Sequence, residues 1–369
     1  MRSEDNEDNM KKTALIMAGG KGERFWPKSR LSLPKQFLSL TDDGKTMIQL
    51  TVERISPLVD AEDIFIVTNE NYKDLVKEQL PQVPSENIIC EPVGRNTAPC
   101  IGLGAMHILK KYGEEEDPAI IVLPSDHLIK NDQIFTEALT NACMVAAEGE
   151  NLVTIGITPN YPETGYGYIR CSGKEADHSS FAVEAFVEKP DLETAQSYLR
   201  DGHYLWNSGM FVWKLSTLLN SIKNFLPDTF DKLSTIGNAL GSGSECTVLK
   251  EVFPAIDSES VDYGIMEKAD NIYIIPGNFG WDDVGSWLAV SRINNTDSDN
   301  NCLKGNVVAY NTSNCTIEST SAQLVATVGL KDTIVVSTED AVLIASKENA
   351  GQIKEMLAQL KEKGKSQYL

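Results

Sequence analysis

Short runs of apolar, largely β-branched residues alternate with longer segments of helical spacing over the first 157 positions of the chain. The runs that predict strands are Thr13–Ala18, Ile64–Val67, Ala119–Leu123 and Leu152–Ile157, and the segments that predict helices are 46–57, 71–80, 97–112 and 132–148. Continuous apolar strands separated by helices are typical of a parallel sheet covered on both faces. We therefore expect an α/β fold with right-handed crossovers between its strands.

The spacing of the elements changes after residue 160. Strands are predicted at Phe181–Val187, Leu205–Trp213 and Ile272–Ile275, and helices between the first two strands, near 214–226, 228–240 and 257–269, and around 284–293. We interpret this region as an extension of the same α/β domain that serves a second substrate.

A polar segment at 296–302 predicts a linker, and closely spaced strand signals follow it. The predicted strands are 307–310, 316–318, 324–328, 333–337 and 341–345, and an amphipathic helix is predicted at 347–363. The expected organisation is a flexible acidic tail (1–11), a catalytic domain (12–295) and a small β-rich domain ending in a helix (296–369). No repeat of fixed period is evident, which argues against a long regular solenoid.

The overall charge narrows the possible partners. The chain has 33 Lys and Arg against 53 Asp and Glu, for a net charge of −20. This balance argues against a general nucleic-acid binder, which needs a basic face, but it permits a nucleotide enzyme. No apolar run reaches the roughly 18–20 residues of a membrane helix, and the cysteines form no CxxC pair. We expect a cytoplasmic protein without nucleic-acid or membrane partners.

A predicted strand that runs into three glycines is the most informative stretch of the chain. Residues 14–27 read ALIMAGGKGERFWP, which places Gly19, Gly20 and Gly22 directly after the strand. Glycines at such a turn let the backbone approach a phosphate and direct N–H groups at it. Ligands of α/β sheets usually bind at this end of a strand. The alternative is a tight turn that only requires a positive φ.

Spacing excludes two common phosphate-binding loops, but charge still favours a phosphate site. A Walker loop requires glycine at position 15, which is leucine, and a dinucleotide fingerprint requires a small residue at position 25, which is phenylalanine. Residues 21–35 contain five cations (Lys21, Arg24, Lys28, Arg30 and Lys35) and one anion. This cluster is either a solvated face or the counter-charge for a polyphosphate.

Two acidic positions are candidates for a magnesium site. Asp126 follows the predicted strand 119–123, and Asp282 and Asp283 precede a predicted helix. Nucleotidyl transfer needs metal ions between phosphate oxygens and protein carboxylates. It needs no general base when the attacking group is a phosphate monoester, because that group is already anionic. The alternative role of each acid is to cap a helix or to anchor a loop.

Polar side chains within apolar strands indicate a second subsite. They occur in the segments GYGY (165–168), VEKP (187–190) and WNSGMF (206–211). Glu188 and Asn207 require polar partners at such positions, and the hydroxyl groups of a sugar are suitable ones. Lys189 could meet a sugar phosphate. Each segment alone would be interpreted as structural, and only their joint occurrence favours a sugar site.

These segments together resemble the bacterial mannose-1-phosphate guanylyltransferases, or GDP-mannose pyrophosphorylases. The resemblance rests on MAGGKGERFWPKSR (17–30), PKQFL (34–38), EPVGRNTAP (91–99), LPSDH (123–127), GYGYI (165–169), VEKP, WNSGMF, WDDVGSW (281–287) and VGLKDTIVVSTEDAVLI (328–344). It covers nearly everything after residue 12. It implies a Rossmann-like nucleotide-diphospho-sugar transferase fold with a mixed, mostly parallel sheet, plus a small β-rich C-terminal domain ending in a helix.

The resemblance also implies an activity and a set of residue roles. The family transfers GMP from GTP to α-D-mannose 1-phosphate and releases pyrophosphate, by Mg²⁺-assisted in-line attack of the sugar phosphate on the α-phosphorus. By similarity, the catalytic residues are Arg24, Lys35 and Lys189, the Mg²⁺ ligands are Asp126 and Asp283, the nucleotide-binding residues are Ala18, Gly19, Gly20, Gly22, Glu91, Asn96, Thr97 and Ser125, and the sugar-phosphate-binding residues are Gly167, Glu188, Lys189 and Asn207. The last four nucleotide-binding residues would line the guanosine side.

Several alternatives stay open at this point. The chain could use another base or sugar, such as glucose 1-phosphate, or it could be a non-catalytic subunit that senses sugar nucleotides. The presence of Arg24, Lys35, Asp126 and Asp283 speaks against the sensor. The end of the sequence at residue 369 leaves no room for the isomerase domain of some relatives, so only the guanylyltransferase step is expected. A homodimer through the C-terminal domain is possible, and the sequence does not decide whether Asp282 or Asp283 binds the metal.

Overall fold

The computed structural model describes residues 10–369 in two compact units that interleave along the chain. The first unit contains 10–19, 52–125 and 129–281, and the second contains 20–51, 126–128 and 282–369. Positions 1–9 of the predicted acidic tail lie outside the described residues. The limits predicted from the sequence, a catalytic domain at 12–295 and a β-rich domain at 296–369, stay predictions.

The first unit is built on one nine-stranded sheet. Its strands are β1 (Lys12–Ala18), β2 (Ile64–Asn69), β3 (Ile88–Glu91), β4 (Ala119–Pro124), β5 (Leu152–Ile157), β6 (Gly167–Glu175), β7 (Phe181–Glu188), β8 (Tyr204–Lys214) and β9 (Ile272–Gly277). The spatial order is β3-β2-β1-β4-β8-β5-β9-β7-β6, and only β7 and β8 run against the other strands. The predicted α/β fold with a mixed, mostly parallel sheet is therefore confirmed.

The helices up to residue 293 largely follow the predicted positions. They are α1 (Met47–Ile55), α2 (Lys73–Gln79), α3 (Thr97–Tyr112), α4 (Asp132–Ala147), α5 (Leu192–Asp201), α6 (Leu215–Phe225), α7 (Pro227–Ala239), α8 (Glu245–Val252) and α9 (Trp287–Ile293). The helix predicted at 257–269 is wrong, because that segment forms only a π-type turn at Asp262–Met266. Its backbone instead bonds to the start of α3: Ala98 N donates to the Glu259 carbonyl (3.1 Å) and Val261 N donates to Thr97 Oγ1 (2.8 Å).

The second unit contains a short coil of mostly parallel strands. Its strands are β10 (Cys302–Lys304), β11 (Val307–Tyr310), β12 (Thr316–Ser319), β13 (Val325–Val328), β14 (Thr333–Ser337) and β15 (Val342–Ser346), and helix α10 (Ile353–Glu362) follows them. β10, β12 and β14 pair in parallel, as do β11 and β13, whereas β15 is antiparallel to β14. Cys302, Thr316 and Ile334 are in register although they lie 14 and then 18 residues apart. A β-rich C-terminal part ending in a helix is confirmed.

One apolar core in the second unit joins the segment that follows the glycines to the C-terminal strands and helix. Phe25 and Trp26 are buried in the same cluster as Ile334, Val336 and Ile353. The indole of Trp26 donates to the Tyr368 carbonyl (2.7 Å), and the indole of Trp287 donates to the Trp26 carbonyl (3.0 Å). The cation-rich segment 21–35 is thus fixed by residues from the end of the chain.

The predicted linker 296–302 is an ordered turn. Asn301 is only 2% exposed, and its amide nitrogen donates to the Thr312 carbonyl (2.7 Å) while its amide oxygen accepts from Cys315 N (3.0 Å). Asp297 accepts from the backbone N–H groups of Asp299 (2.9 Å) and Asn301 (2.8 Å). Buried polar groups stabilise a fold only when they are paired. Asn301 provides the hydrogen-bond partners for two buried backbone groups in the first turn of the coil.

Within residues 10–369, no helix has both the length and the apolar character needed to cross a bilayer.

Replacing Asn301 with alanine should lower the free energy of unfolding by about 2–4 kcal/mol, because the Thr312 carbonyl and the Cys315 N–H lose their buried partner. Chemical denaturation of the purified variant measures this loss. The exposed Asn295→Ala is the control and should cost less than about 0.5 kcal/mol. Equal losses for the two variants would contradict the structural role of Asn301.

Candidate active site

The second unit contains a cavity of about 400 Å³ that is lined by glycines, cations and carboxylates. Its wall consists of Gly20, Lys21, Gly22, Glu23, Arg24, Phe25, Lys35, Asp126, His127, Asp283, Gly285 and Lys354. Segments far apart in sequence therefore meet in one small space. The predicted phosphate-site residues Arg24 and Lys35 and both predicted metal ligands lie in this wall.

Gly22 brings the glycine-rich turn against the backbone of Lys35. Its φ is +61°, and a Cβ at this position would lie 2.4 Å from Lys35 N and 2.5 Å from Lys35 Cβ. The same turn is closed by Phe25 N, which donates to the Gly22 carbonyl (3.0 Å), and by the Gln36 amide, which donates to the Gly20 carbonyl (3.0 Å). Only glycine fits at this position, and the close approach fixes where the Lys35 side chain begins.

Lys35 is a buried cation that connects the two predicted metal ligands. Its side chain is 6% exposed, and its ammonium lies 2.9 Å from Asp126 Oδ2 and 2.6 Å from the Asp283 carbonyl. Removal from bulk water would raise the pKa of Asp126, but the Lys35 ammonium and then His127 outweigh it, so the pKa is lowered. Arg24 Nη1 donates to the Gly285 carbonyl (3.0 Å) on the same wall.

The structure separates the neighbouring acids Asp282 and Asp283. The Asp282 carboxylate accepts from Arg292 Nε (2.9 Å) and Nη2 (3.2 Å) and from Val284 N (2.8 Å). It is thereby committed to an ion pair and a turn. Asp283 lines the cavity, and its Oδ1 accepts from Gly285 N (3.1 Å). Of the two acids, Asp283 is therefore the one placed to meet a ligand in the cavity.

The donor set of the cavity suits a hard divalent cation held together with a substrate. Within residues 10–369, no three His, Cys, Asp or Glu side chains gather as a metal site of their own. Mg²⁺ is usually bound by one or two carboxylates plus substrate phosphates rather than by a full protein cage. Asp126 and Asp283 with the glycine-lined turn fit that pattern.

The first unit holds the other predicted nucleotide residues at the ends of its parallel strands. The Ala18 carbonyl accepts from Thr68 Oγ1 (2.9 Å), and Ser125 N donates to the Met17 carbonyl (3.1 Å). Gly19 lies beside β3, since a Cβ on it would be 3.7 Å from Glu91 Oε2. Ala18, Gly19, Glu91 and Ser125 thus lie at the carboxyl ends of β1, β3 and β4.

Glu91 is a buried carboxylate without a full set of partners. It is 4% exposed, and its Oε1 has no hydrogen-bond partner among the described residues. Burial raises its pKa to about 7, and the nearby Cys100 thiol offsets only part of this shift. An unpaired buried acceptor costs free energy, so Glu91 is a strong candidate for a group that pairs with a ligand.

Asn96 and Thr97 begin helix α3 and are bonded internally. Asn96 has a φ of +70°, and its side-chain oxygen accepts from Thr97 N (2.9 Å). The Thr97 hydroxyl accepts from Val261 N (2.8 Å). Their side chains shape the start of the helix, and any contact with a nucleotide would add to these bonds.

The predicted sugar-side residues converge on β6, β7 and β8. Gly167 pairs with Glu188, and a Cβ on Gly167 would lie 2.1 Å from Glu188 Oε1 and 3.3 Å from Asn207 Cβ. The Asn207 amide donates to Asp262 Oδ1 (2.7 Å) and its oxygen accepts from Gly209 N (3.0 Å). Because the Asn207 side chain is committed in this way, Glu188 and Asp262 are left as the acceptors for hydroxyl groups.

Asp262 is a candidate site residue that sequence reasoning missed, because it lies in the segment predicted to be a helix. Burial raises the pKa of Asp262, and burial followed by the Asp262 charge raises the pKa of Glu188. Lys189 follows Glu188 with a φ of +48° and a largely exposed side chain. Tyr166 contacts Trp206 and Trp281 edge-on, with ring centroids 5.3 Å apart in both pairs. This arrangement combines carboxylates, which can accept from sugar hydroxyl groups, with a cation that suits a phosphate.

Comparisons with known proteins identify the family. Residues 13–300 match the family described as nucleotidyl transferase, and residues 305–360 match the MannoseP isomerase/GMP-like beta-helix domain. A mannose-1-phosphate guanylyltransferase of Escherichia coli K12 is 42% identical over 360 residues, which cover 96% of this chain and 74% of the relative. The chain belongs to the mannose-1-phosphate guanylyltransferase family of nucleotidyl transferases.

Further relatives agree with this family. A mannose-1-phosphate guanylyltransferase of Klebsiella pneumoniae is 41% identical over 96% of the chain and 75% of the relative. A crystal structure described as a mannose-1-phosphate geranyltransferase from Thermus thermophilus superimposes with a TM-score of 0.84 at 34% identity, covering 95% of this chain and 100% of the other. The predicted family, fold class and enzyme class are confirmed, whereas the roles of the individual site residues stay predictions.

Glu91→Gln should stabilise the free protein at alkaline pH. A carboxyl group whose pKa is raised to about 7 in the folded state, against an ordinary 4.5, destabilises the fold once it ionises. The free energy of unfolding of the wild type should therefore fall relative to Glu91→Gln as pH rises from 4.5 to 7, and the difference should reach about 3 kcal/mol at pH 8. Denaturation at several pH values measures it.

The exposed Glu86→Gln removes the same charge and serves as the control. Below pH 4.5 the free energies of unfolding of the wild type and of Glu91→Gln should become equal. A constant difference between them from pH 4 to pH 8 would show that Glu91 is not an uncompensated buried charge.

Proposed function

We propose that this protein transfers GMP from GTP to α-D-mannose 1-phosphate, giving GDP-mannose and pyrophosphate. The observation that carries the proposal is the cavity in which Lys35 lies 2.9 Å from Asp126 and 2.6 Å from the Asp283 carbonyl, beside the Gly20–Gly22 turn. A polyphosphate requires cations and backbone N–H groups, and a metal ion requires carboxylates. The family of the chain and the names of its relatives support the same reaction.

The proposed cofactor is Mg²⁺, held by Asp126 and Asp283. When bound, the ion would neutralise phosphate charge in the transition state. Arg24 and Lys35 add positive charge beside the α-phosphate and the leaving pyrophosphate, because the reaction brings two anions together and then expels a third. The mannose 1-phosphate oxygen is already ionised, so no proton has to be removed from it at neutral pH.

Base selection is assigned to Glu91. Its buried carboxylate can accept hydrogen bonds from the N1–H and the exocyclic amino group of guanine, which would use the unpaired Oε1. Uracil, thymine and adenine do not offer this pair of donors, and they would leave the carboxylate unpaired. Sites of this kind discriminate strongly against a ligand that lacks the matching group.

Sugar recognition is assigned to Glu188 and Lys189, with Asn207 as the residue that positions Asp262. The close approach at Gly167 places the Glu188 carboxylate, and the exposed Lys189 ammonium can meet the sugar phosphate. Another sugar or base remains the alternative within the same fold. A non-catalytic sensor is disfavoured because Lys35 is held between the Asp126 carboxylate and the Asp283 carbonyl in one cavity.

A cytoplasmic location is proposed because GTP and sugar phosphates are cytoplasmic metabolites. We also propose a homodimer through the C-terminal strands. Tyr310 and Val328 are cross-strand neighbours and are 65% and 72% exposed, and Val308 extends this apolar face. Light scattering should show a dimer that Tyr310→Glu with Val328→Glu dissociates, and a monomeric wild type would refute the dimer.

Purified protein with GTP, mannose 1-phosphate and Mg²⁺ should release pyrophosphate. Replacing GTP with UTP, dTTP or ATP, or mannose 1-phosphate with glucose 1-phosphate, should lower kcat/KM by at least about 100-fold, because Glu91 and Glu188 then lack their partners. A preference for UTP or dTTP would reassign the base, and no nucleotidyl transfer with any pair would refute the function.

Asp126→Asn and Asp283→Asn should each lower kcat by at least about 1,000-fold with little loss of fold stability, since charge stabilisation by a metal is worth several kcal/mol. The matched control is Asp282→Asn, which changes the neighbouring acid that pairs with Arg292. Its kcat should stay within about tenfold of wild type, because a partly exposed ion pair contributes little. Steady-state kinetics at saturating Mg²⁺ measures all three, and near-normal turnover by either of the first two variants would remove that residue from the site.

A further inference from the structure

The cavity of the second unit contains a cation from the last helix of the chain. Lys354 is the second residue of α10 and lines the same wall as Lys21, Arg24 and Lys35. No motif in the sequence pointed to it, since it lies more than 300 residues after the glycine-rich turn. Packing nevertheless fixes the backbone at Lys354, because the preceding residue Ile353 is 3% exposed in the core that contains Phe25 and Trp26.

The four cations of this wall fall into two pairs. Arg24 and Lys35 are bonded to protein oxygens, namely the Gly285 carbonyl for Arg24 and the Asp126 carboxylate and Asp283 carbonyl for Lys35. Lys21 and Lys354 are exposed to solvent, and their ammonium groups have no hydrogen-bond or ion-pair partner within the part of the chain that the structure describes. Two positive charges in the cavity wall are therefore available to an anion.

The position of Lys354 on its helix makes the case for a ligand stronger. The first turn of a helix carries the positive end of the helix dipole, where a lysine is unfavourable and an anion is favoured. A lysine that faces a cavity from this end adds to the positive potential there. A polyphosphate chain is the ligand class that uses such a concentration of cations.

We propose that Lys354, together with Lys21, binds the β- and γ-phosphates of the nucleotide, which leave as pyrophosphate. The inference rests on the proposed function. Lys35 is held by the Asp126 carboxylate and the Asp283 carbonyl, and Arg24 is held by the Gly285 carbonyl, beside the predicted α-phosphate centre. The unpaired cations of the same wall, Lys21 and Lys354, are therefore assigned to the departing end of the triphosphate. Lys354 is thus a substrate-binding residue contributed by the C-terminal part of the chain.

The test uses the reverse reaction, in which GDP-mannose and pyrophosphate are separate substrates. Lys354→Met keeps the length of the side chain and removes the charge. It should raise KM for pyrophosphate at least about tenfold, because a charge-assisted hydrogen bond to phosphate is lost, and it should leave KM for GDP-mannose unchanged. Lys354→Arg should restore most of the pyrophosphate affinity.

Lys361→Met is the matched control, since Lys361 is an exposed lysine in the last turn of the same helix. It should change neither KM. Calorimetric titration of magnesium pyrophosphate into the wild type and the two methionine variants gives a binding readout that does not depend on the sugar. The advantage of the wild type over Lys354→Met should shrink as salt is added.

Three outcomes would overturn the inference. The two methionine variants could behave alike, Lys354→Met could raise both KM values equally, or the arginine variant could fail to restore affinity. If the wild type transfers GMP normally while one of these results is found, only the role of Lys354 is wrong. If the wild type neither transfers a nucleotide nor binds magnesium pyrophosphate, the proposed function is wrong as well.

Discussion

The burial of Phe25 and Trp26 against the C-terminal strands is the interaction on which the second unit depends. These two aromatic residues lie within the cation-rich segment, between Arg24 and Lys28, and they share a core with Ile334 and Ile353. Dispersion and apolar burial hold the segment in place. Its position therefore does not depend on ion pairs among its own charged residues. A set of cations that would repel one another on a free loop can then be kept at fixed positions for an anionic ligand.

Much of the fold was predictable because it follows from local patterns. β1 and β4 are continuous apolar runs that are buried on both faces, and α5 is bounded by Asp191 at its start and Gly202 at its end. The coil of β10 to β15 was not recognised as one, since its parallel partners are spaced 14 and 18 residues apart and give no fixed period. The π-type turn at Asp262 was missed because the residues just before it, Glu259 and Val261, bond to the start of α3, and the local sequence pattern does not report such distant partners.

The candidate site shows the same division between local and distant information. The glycines, Lys35, Asp126 and Asp283 stand next to strands or turns, where polar residues are conspicuous in the sequence. Lys354 carries no such signal, and the choice of Asp283 over Asp282 depends on Arg292, which the sequence does not connect to either. The burial of Glu91 without a full set of partners reduces the stability of the free protein, as is common where polar groups are arranged for a ligand.

Native-state hydrogen exchange of Ile334→Ala tests most directly whether the cation-rich segment and the C-terminal coil form one cooperative unit. Ile334 is fully buried in the shared core, and the substitution should cost at least about 2 kcal/mol. The amides of Trp26, Lys28 and Ser29, which bond within their own turn, should then exchange at least about 30-fold faster, in step with the amides of β14. Faster exchange in β14 alone, with the amides at 26–29 unchanged, would contradict the account.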